Sequence, residues 1–186
     1  MAGTRWTLAW QGLLVVMFLI GTDRCSAYGQ ADRIGVTPAA QRDERVRADD
    51  PTLSALIAQA IDQSATFRRI VEAIQSTDGI VYVVRGQCGH GVRACLFLWM
   101  AAAGPNRMLR VIVDSSRQAD IETMASLGHE LRHALEVLAE PSVRTGYGML
   151  ALYKRNGAVQ GATFETEAAI KAGDAVYNEL KRRRAN

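Results

Sequence analysis

The sequence lacks any stripe of basic residues, any internal repeat and any low-complexity segment. Its net charge is only +3, and the one dense basic run is Lys181-Arg182-Arg183-Arg184 near the C-terminus. A nucleic-acid-binding surface needs basic residues clustered along one face, so we expect no nucleic-acid partner. The C-terminal run is instead typical of a solvated last helical turn, where positive charge is favourable.

The N-terminal region has an uninterrupted apolar run, Leu13–Ile20, but this run is too short to be a typical transmembrane helix. Arg5 precedes this run and Cys25-Ser26-Ala27 follows it, a pattern that predicts a signal peptide over residues 1–27 with cleavage after Ala27. Cys25 follows Thr22-Asp23-Arg24, without the small apolar residues of a lipid-attachment site. The alternative is an uncleaved N-terminal anchor, the one case in which we expect membrane association. Either way we expect a secreted or periplasmic domain.

Cysteine is scarce, and cleavage would leave only Cys88 and Cys95, which flank a glycine-rich turn. In an oxidising compartment such a pair is expected to form a disulfide across a hairpin. A metal pair with His90 is the alternative, but the short Cys-x-x-Cys spacing that would favour it is absent. We therefore predict the disulfide.

The rest of the chain has the composition of one globular domain. Of its 186 residues 48% are apolar and 22% charged, which suits a single core. Residues 28–50 are polar without sustained periodicity and predict a flexible lead, so the domain is expected over residues 51–184. Whether the lead covers a functional site stays open.

Helices are predicted before and after a group of strands. Asp50-Pro51 is a helix start, with a capping acid followed by proline at the first helical position. Apolar residues then recur at helical spacing, with a break near Ser64. A long helix runs from a cap at Asp120 to about Leu138. A final helix is predicted over residues 164–181, after a connecting region.

Three apolar runs between these helices predict strands at 80–84, 95–100 and 109–113. Because short turns join them in sequence, we expect a small, mostly antiparallel three-stranded sheet. The fold class is therefore α+β. Trp99, Met100 and Met124 are expected in the core.

The segment Gly128-His129-Glu130-Leu131-Arg132-His133 lies within the long predicted helix and carries the chemistry. Residues four apart rise from the same helix face, so His129 and His133 can bind one metal ion. Glu130 is close enough to contact a water on the open side of that ion and to accept its proton. This is the His-Glu-x-x-His arrangement of zinc metalloproteases.

The motif can also arise by chance on a purely structural helix. Three observations favour zinc. The chain has only three histidines and the motif holds two of them, and apolar residues occupy the other faces of the helix. Gly128 leaves room for a close neighbour, at a cost in helix stability.

A third ligand is needed, and the start of the last predicted helix offers Glu165 and Glu167 in Glu165-Thr166-Glu167-Ala168-Ala169. With this segment the chain resembles small zincins of the gluzincin type, in which a glutamate on a downstream helix completes the site as the first residue of Glu-x-x-Ala-Asp. It also resembles uncharacterised exported bacterial proteins, which imply no activity. The gluzincin resemblance maps the third ligand to Glu165, with Glu167 as the alternative. Ala169 replaces the aspartate, so we expect Glu136 to contact a histidine in its place.

The resemblance implies a zincin-like fold and an exported zinc-dependent peptidase. His129, His133 and Glu165 would bind Zn²⁺, Glu130 would be the catalytic base, and a peptide or protein would be the substrate. Strand 94–100 or 108–113 would then be the substrate-binding edge. Tyr147 and Tyr153 are expected in packing rather than in oxyanion stabilisation. The alternative function is a non-catalytic zincin-like module of the cell envelope that binds metal or a partner.

Overall fold

The computed structural model describes residues 44–185 apart from 90, 117–118, 157–158 and 161–162. The predicted signal peptide and residues 28–43 of the predicted lead lie outside this part. The described residues form five helices, a four-stranded sheet and a two-stranded ribbon. The helices are α1 (Pro51–Gln63), α2 (Ala65–Gln75), α3 (Ile121–Leu138), α4 (Gly146–Arg155) and α5 (Glu167–Ala185). The strands are β1 (Val46–Ala48), β2 (Gly79–Gly86), β3 (Ala94–Ala103), β4 (Asn106–Asp114), β5 (Val159–Gln160) and β6 (Thr163–Phe164).

Capping side chains fix the starts of α1, α2 and α3, of which the sequence predicted the caps of α1 and α3. Asp50 accepts a 2.9 Å hydrogen bond from the Leu53 N–H, and Asp120 accepts one of the same length from the Thr123 N–H. Ser64 ends α1 and caps α2, which accounts for the predicted break. Each cap satisfies a backbone donor that the first helical turn leaves free.

The α+β class is confirmed, but the predicted antiparallel three-stranded sheet is wrong. The sheet is four-stranded and mixed, in the order β1-β2-β4-β3. β2 pairs in parallel with β1 and β4, and only β3 and β4 are antiparallel. β2 and β4 are the two interior strands, and Leu109, Val111 and Val113 of β4 are almost completely buried, whereas β3 carries exposed apolar residues and forms an edge.

The strand β1 lies inside the stretch that the sequence assigned to a flexible lead. Its three residues are too few to show a strand period, and its pairing with β2 is what orders them. Trp99 is a second difference, since it is 39% exposed while Met100 and Met124 are buried. An irregularity in β3 between Phe97 and Met100 accounts for it, because a bulge changes the direction of the side chains.

The helix α3 lies between the sheet and α5, contacting β3 and β4 on one side and α5 on the other. Two glycines allow the helices to approach closely. A Cβ at Gly128 would lie 3.0 Å from Val176 on α5, and a Cβ at Gly173 would lie 3.2 Å from the Cβ of His129. The room predicted beside Gly128 is therefore occupied by α5.

The end of the chain differs in detail from its prediction. The predicted connection contains α4, whose start is capped by Thr145 through a 3.1 Å hydrogen bond from Gly148 N–H. The last helix begins at Glu167, so Glu165 precedes it instead of lying on it. In the part of the chain that is described, no helix has the length and apolar character of a membrane span.

Candidate metal centre

The two motif histidines face each other on α3. The Nε2 atoms of His129 and His133 lie 3.1 Å apart. The His129 side chain is 18% exposed and that of His133 only 4%. Spacing by four residues on one helix stacks the rings one turn apart, as expected.

Glu165 approaches this pair from the segment between β6 and α5. Its Oε2 lies 3.2 Å from His129 Nε2, and the ligand atoms of His129, His133 and Glu165 lie within 4.8 Å of one another. The alternative ligand Glu167 is not in this group. Its side chain is 82% exposed and pairs with Lys171 at 2.6 Å on the surface of α5.

The two distances from His129 Nε2 to the other ligand atoms fit a shared cation. Zinc bonds of about 2.0–2.1 Å at tetrahedral angles separate two ligand atoms by about 3.3 Å. The two measured separations, 3.1 Å between the imidazole nitrogens and 3.2 Å from imidazole to carboxylate, are close to that value.

The polar partners of the two rings also favour a cation. Glu136 Oε2 lies 3.3 Å from His133 Nδ1, and a carboxylate only accepts hydrogen bonds, so a neutral His133 ring places its proton on Nδ1 and a lone pair on Nε2. His129 Nε2 therefore faces two acceptors, His133 Nε2 and Glu165 Oε2. A single proton on His129 can serve only one of them, whereas a cation would satisfy all three atoms. Burial, and then the adjacent His133, lower the pKa of His129, which favours the neutral form of its ring.

Glu136 links the histidine to the start of α5. Its Oε1 accepts a 2.8 Å hydrogen bond from the Thr166 hydroxyl, while its Oε2 faces His133. The Thr166 Oγ1 in turn accepts from the Ala169 N–H at 3.1 Å. Thr166 directly follows Glu165 in the chain. The contacts from Thr166 through Glu136 to His133 therefore link the position of Glu165 to the orientation of the His133 ring.

Glu130 lies beside the group and is held by the sheet. Its Oε2 accepts a 2.7 Å hydrogen bond from the Leu96 N–H on β3, and its Oε1 lies 4.0 Å from His129 Nε2. Burial raises the pKa of Glu130 to about 7, against the smaller opposing effects of His133 and the Leu96 N–H. A carboxyl group with such a pKa can accept and return a proton near neutral pH.

Of the other residues considered from the sequence, Tyr153 contacts the centre and Tyr147 does not. Tyr153 is buried, donates a 3.2 Å hydrogen bond to the His133 carbonyl oxygen and stacks on Phe164, a packing role. Tyr147 is 88% exposed. Arg132 lies 3.6 Å from Glu136, and His90 lies outside the described residues.

Two depressions meet at the centre. A cavity of about 360 Å³ lies between β3 and His133, and a more polar cleft of about 550 Å³ lies towards the start of α3 and α5. Glu130 and Glu165 line both of them. A ligand can therefore reach the centre from either side.

The predicted disulfide between Cys88 and Cys95 is confirmed. It does not close a hairpin of paired strands, however, because β4 lies between β2 and β3. Instead it fixes the segment before β3 close to the strand position that binds Glu130. Both cysteines line the 360 Å³ cavity.

Three groups that shape the centre were not predicted from the sequence: Thr166, the Leu96 amide and Gly173. Thr166 had a detectable signal, since threonine before a helix is a common cap. The Leu96 amide and Gly173 had none, because their contacts depend on how distant elements pack.

The chain matches no known protein family, no curated protein and no solved structure. Any function proposed for the chain therefore depends on the geometry of the centre.

Proposed function

We propose that this protein is an exported, zinc-dependent peptidase. The observation that carries the proposal is the convergence of His129 Nε2, His133 Nε2 and Glu165 Oε2 within 4.8 Å, with the Glu130 carboxylate beside them at the meeting point of two clefts. The same arrangement supports the resemblance to gluzincins.

The donor set favours zinc over other common ions. Two imidazole nitrogens with one carboxylate oxygen suit zinc, whereas calcium and magnesium prefer oxygen ligands. Three protein ligands are also the number found in catalytic zinc sites, where the fourth position is left to water or substrate. Glu136 would orient His133 by accepting its Nδ1 proton.

Zinc bound here would lower the pKa of a water molecule and polarise the substrate carbonyl. Glu130 would take the proton from the attacking water as the new C–O bond forms. It would then deliver that proton to the amide nitrogen as the C–N bond breaks, so that one water is consumed and an acid and an amine are released. The Leu96 N–H would fix the carboxylate in place while this proton moves.

An extracytoplasmic location agrees with the disulfide, since such bonds persist in oxidising compartments. The N-terminal sequence supports export independently, through the predicted signal peptide. Together they favour a secreted or periplasmic enzyme acting on peptides or proteins.

Metal content is the first test. Purified wild-type protein should hold one zinc ion per chain by elemental analysis, and His133→Ala should lose it. Zinc should also raise the melting temperature of wild type, because it binds only the folded state. A folded wild-type protein that takes up no zinc would refute the centre.

Cleavage is the second test, and it separates a peptidase from a metal- or partner-binding module. Wild type should cleave a peptide library, while Glu130→Gln should retain zinc and lose activity by about 100-fold or more. The glutamine oxygen can still accept the Leu96 hydrogen bond, so the variant should fold. If zinc-loaded wild type cleaves none of the library, the non-catalytic module becomes the better account.

A further inference from the structure

The two faces of the four-stranded sheet differ in what covers them. Val81 and Val83 of β2 and Leu109 and Val111 of β4 belong to the core that the helices share. Side chains alternate along a strand, so the residues between these four point to the opposite face. In the part of the chain that is described, the apolar ones on that face neither belong to the core nor pack on it as partly buried residues: Tyr82, Val84, Met108 and Ile112. We call this second surface the outer face.

A row of paired residues crosses the outer face and alternates cationic with aromatic side chains. In the strand register Arg47 pairs with Tyr82, Tyr82 with Arg110, and Arg110 with Phe97. The Arg47 guanidinium lies 6.0 Å from the centroid of the Tyr82 ring, and the Arg110 guanidinium lies 5.2 Å from the centroid of the Trp99 ring. Two positive charges and three aromatic rings are therefore arranged across all four strands.

Apolar residues flank this row on both sides. The next paired positions are Ile80, Met108 and Ala101 in one direction and Val84, Ile112 and Cys95 in the other. Phe97 and Trp99 are 45% and 39% exposed although both are large and apolar. Exposed aromatic residues on a contiguous apolar surface mark an interaction site.

The charge of the outer face is mainly positive. Arg45, directly before β1, donates a 3.0 Å hydrogen bond to the side-chain oxygen of Asn106, which shares the outer side of β4. Asp114 is the acid at the far end of the same strand, where it accepts a 2.6 Å hydrogen bond from the Ser116 hydroxyl. The described residues of the outer face therefore include the three arginines at positions 45, 47 and 110 and one aspartate.

This charge separates the partners that could cover the face. A second copy of the chain would place two positively charged faces together, which like charges oppose. Residues 28–43 contain two acids and two arginines, so they bring no net negative charge. A soluble acidic polymer would match the arginines but would leave the apolar positions beside them uncovered.

An anionic membrane surface matches both features of the outer face. Its headgroups attract arginine, and its boundary between headgroups and acyl chains is where aromatic side chains are favoured. The position of β1 in the chain agrees with this partner. It is the first described element after the N-terminal apolar run, and it carries Arg47 at the edge of the sheet.

We propose that the outer face is a membrane-contact surface. Arg47 and Arg110 bind anionic phospholipid headgroups, while Phe97 and Trp99 enter the boundary with the acyl chains. The contact is independent of the proposed peptidase function and would place the domain on the membrane surface. It also differs from the membrane association predicted from the sequence, because it does not need an uncleaved N-terminal anchor.

Trp99 provides a direct probe of this contact. The chain has three tryptophans, at positions 6, 10 and 99, so Trp6→Phe and Trp10→Phe in the full chain leave Trp99 as the only one. Every protein compared carries these two changes, and any contribution of the N-terminal segment is therefore constant. Trp99 emission is recorded during titration with vesicles of equimolar phosphatidylcholine and phosphatidylglycerol, and with vesicles of phosphatidylcholine alone. Co-sedimentation with the vesicles gives the affinity independently.

Two pairs of matched variants test the two kinds of contact. Arg110→Glu on the outer face is compared with Arg183→Glu in the exposed last turn of α5, the densest basic run of the chain. Phe97→Ser is compared with Ile170→Ser, because Phe97 and Ile170 are 45% and 46% exposed. Arg110→Gln is a milder change at the first position, and urea titration shows that each variant is folded.

We expect the anionic vesicles to shift Trp99 emission to shorter wavelength and the neutral vesicles to have little effect. High salt should reverse the shift, since it screens exposed charges. Arg110→Gln should weaken binding about fivefold and Arg110→Glu further, because each arginine near an anionic surface contributes about that factor. Phe97→Ser should also weaken binding about fivefold, and both control variants should stay within about twofold of the parent.

Four results would overturn the proposal. Trp99 emission that does not respond to anionic vesicles, or responds equally to neutral ones, would exclude this contact. Equal losses in Arg110→Glu and Arg183→Glu would move the lipid site to the C-terminal basic run. A Trp99 shift that depends on protein concentration without lipid would assign the face to a second copy. A shift with polyglutamate but not with vesicles would assign it to an acidic protein.

Discussion

Arg107 on β4 donates a 2.7 Å hydrogen bond to the carbonyl oxygen of Leu138, the last residue of α3. The same guanidinium bonds the carbonyl oxygens of Glu140 and Val143 at 2.8 and 3.0 Å and forms a 2.6 Å ion pair with Asp78. Arg107 is only 1% exposed. It therefore satisfies backbone carbonyls at the end of the helix that carries both candidate histidines.

Replacing Arg107 should be among the most damaging substitutions in the domain. Arg107→Met leaves the buried carbonyl oxygens of Leu138 and Val143 without their donor, and each unsatisfied buried acceptor costs about 1–3 kcal/mol. The free energy of unfolding from urea titration measures the loss. Arg110→Met on the same strand is the control, since Arg110 is exposed and its guanidinium lies over the Trp99 ring, 5.2 Å from the ring centroid. Equal losses in both variants would contradict the role of Arg107.

The same ion pair predicts an acid-dependent loss of stability. The hydrogen bond from Arg107 lowers the pKa of Asp78 in the folded protein, while the unfolded value stays at about 3.9. Between the two values the unfolded chain binds more protons, so the stabilisation is present above the unfolded pKa and is lost as pH falls through the folded one. Urea titrations from pH 6 to pH 2 should show a shallower acid decline in Asp78→Asn than in wild type. An identical decline would exclude Asp78 as a contributor.

The burial of Arg107 could not be predicted from the sequence, whereas much of α3 could. The helix α3, its cap and its histidine pair follow from local patterns, since capping and helical spacing act within a few residues. An arginine in a strand predicts exposure, and only the end of α3 passing over it explains its burial. Glu165 required a family resemblance, because nothing local distinguishes it from Glu167.

The order of the strands in the sheet could not be predicted from the sequence, for a related reason. The runs that became β2, β3 and β4 are all predominantly apolar, and an apolar run indicates burial without identifying its neighbours. β3 and β4 were paired correctly because a tight turn at Gly104 joins them, with φ of 57°. β4 lies between β2 and β3 because of how the complete strands pack against one another and against the helices. That packing cannot be read from any one run.

The assignment of the third ligand can be tested by a matched pair of variants. Glu165→Gln should weaken zinc binding about 10-fold or more, because the carboxylate facing His129 becomes a neutral amide. Glu167→Gln should leave it nearly unchanged, since that side chain is exposed and paired with Lys171. Competition with a chromogenic chelator measures both affinities. The reverse order would move the ligand to Glu167.

The approach of α5 to the centre predicts an effect of a single methyl group. Gly173→Ala places a Cβ 3.2 Å from the His129 Cβ and 3.5 Å from its Nδ1, which displaces the ring or the helix. Zinc affinity should fall about 10-fold even though alanine favours a helix. Gly148→Ala on α4 is the control, because its new contacts are ordinary ones of 3.4 Å or more. Unchanged affinity in Gly173→Ala would show that the ring tolerates the shift.

Thr166 should act on the metal through Glu136 without touching it. Thr166→Val keeps the shape but removes the hydroxyl that donates to Glu136, which frees that carboxylate to move away from His133. Zinc affinity should then fall about 10-fold, the lower end of the effect of losing such a contact. Thr166→Ser retains the hydroxyl and should restore it.

The same hydroxyl caps α5, so stability is measured alongside affinity. Thr166→Asp can still accept the Ala169 hydrogen bond but cannot donate to an ionised Glu136. It should therefore retain the cap and bind zinc as weakly as Thr166→Val. If Thr166→Asp instead binds zinc as tightly as wild type, the effect of valine comes from the cap, and Thr166 has no influence on His133.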